Sequence, residues 1–314
     1  MKNNIDRRGF LKSLAVAGAA FTLKMTGGMD VFAQTVPNSK GFADLAAVMG
    51  GEPDAMFKRA IEEMGGIGRF VKSGHKVVVK PNIGWDKTPE LAANTNPILV
   101  KEIVRQCLAA GAKEVVVFDN TCDEWKRCYA SSGIEAAAKA AGAKVAPANE
   151  ESYYTKVPLP RGKVLKDMKI HKAILDCDVW INVPILKNHG GSRMSISMKN
   201  LMGIIWDRRI FHASNLSQCI ADMCTLDKKP VLNVIDAYRV LKDNGPRGRS
   251  LEDVALSKAL FVSPDMVAAD TAATKFFAQI REIPLADVKY LEYGQELKVG
   301  TMDIDNLNVK RIKM

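Results

Sequence analysis

From Trp180 to Gly203 the chain reads WINVPILKNHGGSRMSISMKNLMG, so a short apolar run, read as a strand, empties into a loop carrying Lys187, Asn188, His189, Arg193 and Lys199. Cationic side chains at such a place suit an anion. Lys80, Lys187 and Arg193 could hold a carboxylate or phosphate by charge-assisted hydrogen bonds, and Gly190 and Gly191 would let backbone approach a ligand closely. Taken singly, each lysine reads as a solvated surface charge; taken together, the residues read as a candidate site. A second arrangement uses the same segment without chemistry. In it Gly190, Gly191, Ser192, Ser195, Ser197 and Lys199 cradle a phosphate-bearing ligand with hydroxyls and loop N–H groups, although the spacing is not that of a P-loop.

The elements that must position these residues alternate between strand and helix. Lys76 to Lys80, Val115 to Phe118, Val179 to Val183 and Val231 to Ile235 are short β-branched runs that predict parallel strands covered on both faces. Between them, Pro97 to Ala110 predicts a helix capped by Asn96 and stopped by Gly111. Ile134 to Ala141 and Leu216 to Leu226 predict two more. Lys144 to Ala146 reads as extended and Ser152 to Lys169 as an excursion or hairpin. A strand at Ala259 to Val262 and a helix at Met266 to Phe277 follow a Gly/Pro/Arg loop. The fold expected is α/β, a mainly parallel doubly wound sheet, with room for two lobes divided near residue 245. Polar residues recur at the strand ends: Lys80-Pro81-Asn82, Asp119-Asn120, Lys187-Asn188-His189 and Asp236. On one edge of a parallel sheet they would line a cleft, with Asn82, Asp119 and Asn188 among the ligand contacts. Asp270, in the helix after the strand at 259, reads equally as a cleft residue or the cap of a turn.

The amino-terminus points to a compartment. Asp6, Arg7, Arg8, Gly9, Phe10, Leu11 and Lys12 form a twin-arginine signature, and Val31-Phe32-Ala33 forms a cleavage pattern. Residues 1–33 are therefore expected to be a signal read by the twin-arginine export machinery, and 34–314 the mature periplasmic or extracytoplasmic protein. The apolar stretch Ser13 to Leu23 is half the length of about 20 residues that a bilayer span needs, so no stable span is expected after cleavage. Of the formal net charge of +10, the signal carries five basic and two acidic residues. The remaining positive charge favours anionic ligands, yet the basic residues are dispersed without an aromatic-interleaved stripe, so nucleic acid is not an expected partner.

Six cysteines stand at 107, 122, 128, 177, 219 and 224, none in a CxxC pair, so there is no iron-sulfur cluster motif or zinc ribbon. Cys107 and Cys177 read as buried thiols. Cys122 and Cys128 share a loop and could pair in an oxidising compartment, the alternative being free thiols. His75 reads as a turn residue and His171 as a helix-start or surface residue. His212, after Trp206, Ile210 and Phe211, either closes an aromatic cluster or serves as a ligand. Met194, Met198 and Met202 recur every four residues, as on a packed helical face that would leave Lys199 on another.

VKPNIG at 79–84, TNP at 95–97, AGAKEVVVFD at 110–119, INVPILKNHGG at 181–191, SMKNLMG at 197–203 and VAADTAA at 267–273 together resemble the domain of unknown function 362 family. More distantly, the order of motifs resembles the nickel-dependent lactate racemase family. That resemblance implies a nickel-containing or other cofactor attached at Lys199, a general base at His189 and a metal ligand at His212. The chain departs from it in carrying Asp119-Asn120 where a second proton-transferring histidine is expected, and in the shorter interval from Lys199 to His212. A one-base site on a small anionic substrate follows, racemase/epimerase-like or oxidoreductase-like, with Lys199 and His189 catalytic. Two non-enzymatic readings stand beside it: a periplasmic anion or phosphate-ligand binding protein, and an assembly or electron-transfer partner whose basic face docks an acidic protein.

Overall fold

Residue pairs that alternate along the central strands decide the architecture. In a computed structural model describing residues 41–314, Val77 and Val79 join one apolar cluster and Val78 the other. Ile181 and Trp180 part in the same way. With a side-chain period of two, both faces of the sheet must then be covered. The signal and its cleavage pattern lie outside the described residues.

In chain order the elements are β1 (Leu45–Met49), α1 (Pro53–Glu63), β2 (Lys76–Pro81), α2 (Pro97–Ala109), β3 (Glu114–Val117), α3 (Trp125–Ser131), α4 (Ile134–Ala140) and β4 (Lys144–Val145). Then come β5 (Tyr154–Pro158), β6 (Asp167–His171), α5 (Lys172–Asp176), β7 (Val179–Val183), β8 (Ile185–His189), β9 (Arg193–Ser195), α6 (Ser197–Asn200), α7 (Arg209–Ala213) and α8 (Leu216–Met223). The chain ends with β10 (Leu232–Leu241), β11 (Val254–Ser263), α9 (Met266–Phe277), α10 (Lys289–Glu296) and β12 (Val309–Lys313). The large sheet runs β12-β1-β11-β10-β7-β2-β3-β4. Its pairs are parallel from β10 to β4 and between β1 and β12, and antiparallel where β11 lies between β1 and β10. It is a mainly parallel α/β sheet with helices on both faces. Phe57, Leu99 and Ile103 cover one face; Ile220, Val267 and Leu291 cover the other. Each such buried side chain contributes roughly 1.5–3 kcal/mol relative to exposure.

Several boundaries follow the local chemistry. Asn96 accepts the Ile98 N–H at 2.9 Å, Pro97 opens α2, and Gly111 leaves it at φ +89°, where other residues are strained. The excursion at 152–169 is the β5–β6 hairpin. Residue 245 falls in the connection between β10 and β11, two neighbours in one sheet, so the sheet itself runs across that position. The apolar strand β1, helix α1 and the carboxyl-terminal β12 carry no motif that marked them in advance.

One expectation is corrected. Lys187, Asn188 and His189 do not lie in a loop: after Pro184 the chain resumes as β8 and turns back as β9. The reason is the length of β10, which continues to Leu241 rather than stopping near Ile235. Beyond β7 its edge is free to pair with β8. Proline lacks an N–H but keeps its carbonyl, and Pro184 O accepts from Asp236 N at 2.9 Å. Asp236 accordingly sits inside a strand, not at its end. The methionines are likewise buried, but on β9, α6 and the 3-10 turn Leu201–Ile204 rather than on one helix. No described helix is long and apolar enough to cross a membrane.

Candidate functional site

A cavity of about 300 Å³ opens where the loops after β2 and β3 meet the β8–β9 hairpin and the α6 turn. Its floor is set by sheet register. Lys80 on β2 lies opposite Asn182 on β7, and Asn182 lies opposite Asn233 on β10, so three neighbouring strands each place a buried polar group at one level. Asn182 Nδ2 donates to Asn233 Oδ1 at 3.0 Å, and Asn200 Nδ2, from α6, donates to Asn182 Oδ1 at 2.8 Å. Lys80 Nζ lies 2.8 Å from Asn200 Oδ1 and 2.8 Å from Asp119 Oδ1. Asp119 Oδ2 accepts the Ile83 N–H at 2.6 Å, and the Tyr129 hydroxyl bridges the Asp119 backbone. Burial lowers the Lys80 pKa, and the Asp119 charge opposes that shift. Gly203 is required above this pair, because a Cβ there would overlap both Asp119 Oδ1 and Lys80 Nζ.

Over this floor stand further cations. Lys187, 2% exposed, donates from Nζ to Asn82 Oδ1 at 2.8 Å and to Ala93 O at 2.6 Å. Burial pulls its pKa down to about 7, and the Lys199 charge adds to that. Lys199 Nζ lies 3.3 Å from the Met202 thioether, a weak acceptor, and burial followed by the charges of Arg208 and Lys80 brings it to about 8. Arg208 reaches the rim, where NH2 donates to Asn120 O and Thr121 O at 2.8 and 2.9 Å and NH1 lies 3.2 Å from Cys122 Sγ. The remaining lining includes Trp85, His189, Ser195 and His212.

Of the residues anticipated from sequence, Asn82, Asp119, Lys187, His189, Ser195, Lys199 and His212 line this cavity, with Lys80 beneath it. Three are elsewhere. Asn188 supports the hairpin, accepting the Gly245 N–H at 3.2 Å. Arg193, with φ +65°, turns outward to an ion pair with Asp287 at 2.9 Å. Ser197 is buried at the start of α6, where its N–H and that of Met198 donate to Asp270 at 2.8 and 2.9 Å. Asp270 thus caps a turn. A serine cradle does not form, since the Ser192 hydroxyl donates to Met194 O and Gly190 and Gly191 make the hairpin turn. Asn182, Asn200, Asn233 and Arg208 were not anticipated. A lone Asn within the apolar runs WINV and VLNVI was the available signal.

His189 is not placed as a general base. Its Nδ1 accepts the N–H groups of Gly191 and Ser192 at 3.0 and 3.2 Å, which puts the ring proton on Nε2, and burial lowers its pKa to about 3. It is a neutral hydrogen-bond donor. His212, on α7, is exposed at the cavity mouth. His171 is a buried cap of α5 stacked on Phe118. Cys122 and Cys128 are unpaired, the first exposed and the second buried. Among the described residues no group of three His, Cys, Asp or Glu side chains could hold a metal ion. The cavity's own side chains therefore do not by themselves compose a metal site.

Buried ionisable groups give the fold an unusual pH profile. Burial raises Asp236 to about 6 and Asp270 to about 7, so between the ordinary carboxylate range and pH 7 the folded chain holds protons that the unfolded chain has lost. Stability therefore falls as pH rises through that window. Lys187 and Lys199 are lowered to about 7 and 8, so above pH 7 the folded chain releases protons that the unfolded chain keeps, and stability rises. The expected result is a minimum near pH 7 in the urea midpoint measured at pH 5, 7 and 9. A maximum near pH 7 would contradict these assignments.

A mainly parallel sheet with a polar cavity at the carboxyl ends of its central strands places the chain in the α/β class. Within that class the chain belongs to the family described as Domain of unknown function (DUF362), whose model matches residues 77–275 and so includes every residue lining the cavity. The "Thylakoid-associated protein sll1697" of Synechocystis sp. is 25% identical over 230 residues, covering 70% of this chain and 68% of its own. The lactate racemase apoprotein from Thermoanaerobacterium thermosaccharolyticum aligns with TM-score 0.49 and 15% identity over 82% of this chain; the chain spans 61% of that protein.

Proposed function

We propose that this protein is an enzyme that binds a small anionic substrate in the cavity and moves a proton on it with the Lys199 amine. The observation that carries the proposal is charge. Lys187, Lys199 and Arg208 meet at one cavity with no carboxylate within 4 Å among the described residues, while the one cavity carboxylate, Asp119, is occupied by Lys80. Desolvated cations without counter-charge are costly, and a bound anion offsets that cost. An amine with a pKa of about 8 is partly neutral at physiological pH and can accept a proton from a carbon or hydroxyl beside the bound anionic group. The neutral His189 ring supplies a hydrogen-bond donor. The twin-arginine sequence at 6–12 and the thylakoid association named for the cyanobacterial relative support action outside the cytoplasm.

The test pairs binding with exchange. Small 2-oxo and 2-hydroxy carboxylates are screened by thermal shift, where a ligand at 100 times its Kd should stabilise by about 2.7 kcal/mol. The binders are then incubated in D₂O and followed by proton NMR. Loss of the α-proton signal with wild type and not with Lys199→Met is expected. Binding without exchange under any condition would assign the protein to anion binding alone.

A further inference from the structure

Three cations from separate segments meet at this cavity, and their hydrogen bonds show which donors are left over. Lys187 spends two of its three N–H donors on Asn82 and Ala93 and keeps one. Among the described residues Lys199 meets only the Met202 sulfur. Arg208 is held differently: NH2 is saturated by two backbone carbonyls and NH1 touches Cys122, which fixes the guanidinium plane and leaves N–H groups on NH1 and Nε. These free N–H groups lie on different edges of the guanidinium, so Arg208 offers an anionic group a fixed positive charge and single hydrogen bonds rather than a bidentate fork. The two sets also come from different elements. Lys187 and Lys199 rise from the hairpin and the α6 turn, whereas Arg208 is tied to the loop after β3.

We infer that the substrate carries two anionic groups on one short skeleton, one held between Lys187 and Lys199 and the other by Arg208. This rests on the anion-binding reading above and narrows it to a dianion, either a dicarboxylate or a carboxylate bearing a phosphoryl-type group. The volume of about 300 Å³ is at the small end of ligand cavities, about 300–1,000 Å³, which limits the skeleton to a few carbons.

Matched probes separate the possibilities. Butyrate, succinate and 3-phosphonopropionate are titrated into the full chain by calorimetry. Succinate or 3-phosphonopropionate should bind at least about 10-fold tighter than butyrate, the span of one charge-assisted hydrogen bond, and whichever is tighter identifies the second group. Arg208→Gln should bring the dianion-to-butyrate ratio close to one. An independent readout uses wild type alone. Cys122 is the exposed member of six cysteines and lies 3.2 Å from Arg208, so the preferred dianion should slow its alkylation by iodoacetamide where butyrate at equal occupancy does not. Equal affinities for all three probes, or a preference that survives Arg208→Gln, would overturn the inference while leaving anion binding intact. No binding of any probe would remove both.

Discussion

Replacing Asp119 by Ala is expected to lower folding stability by about 3–5 kcal/mol, the usual cost of removing one partner of a buried ion pair. Lys80 is fully buried and its one charge partner within 4 Å among the described residues is Asp119. The variant leaves the ammonium with the neutral Asn200 oxygen and also strips the acceptor from the Ile83 N–H. An escape is open to it, since Lys80 can release its proton on folding. That escape has a sign: the folded lysine is then neutral and the unfolded one charged, so the variant should gain more stability than wild type as pH rises toward the ordinary lysine value. Urea denaturation at pH 7 and pH 9, with slopes unchanged, checks both parts. A double replacement, Lys80→Met with Asp119→Leu, should recover much of the loss because no buried charge remains. A loss below about 1 kcal/mol for Asp119→Ala would show that the pair does not hold the floor.

How far the sequence reveals this arrangement depends on the range of the interactions. The strands Lys76–Pro81 and Val179–Val183 and the helix Pro97–Ala109 are legible because their signals are local: β-branched runs, a cap, a proline and a stop. The hairpin of β8 and β9 is not, because nothing within 185–195 says that β10 extends far enough to pair with it. Arg193 and Arg208 make the same point from the side of the site. Both are arginines in a basic segment, and only a left-handed backbone at Arg193 and the distant Asp287 send the first outward. The carbonyls of Asn120 and Thr121 hold the second at the rim. His189 is a subtler case, since its position was legible but its protonation is set by the two backbone N–H groups of its own turn. Residue type and order therefore located the cavity, while donor and acceptor assignments waited on contacts between distant segments.

The Lys199 amine should acylate with a half-maximal rate near pH 8, and at pH 7 its neutral fraction should be about 300 times that of an amine at the ordinary value of 10.5. Brief treatment with acetyl N-hydroxysuccinimide at pH 6 to 10, followed by peptide mass mapping, gives the profile. Lys187 is an internal control: its pKa is lower, about 7, yet it is 2% exposed and tied to two acceptors, so it should label slowly despite its larger neutral fraction. A Lys199 rate that still climbs beyond pH 10 would remove the amine from the chemistry. The profile should also move when the site is filled. Positive neighbours, Arg208 and Lys80, help burial to hold the amine down, and an anion bound beside them cancels part of that effect, raising the pKa and shifting half-maximal labelling upward. For the proposed proton transfer this works in two directions: the bound anion makes Lys199 a stronger base but lowers its neutral fraction at pH 7, so the pH at which exchange reaches half its maximal rate should rise with the labelling profile.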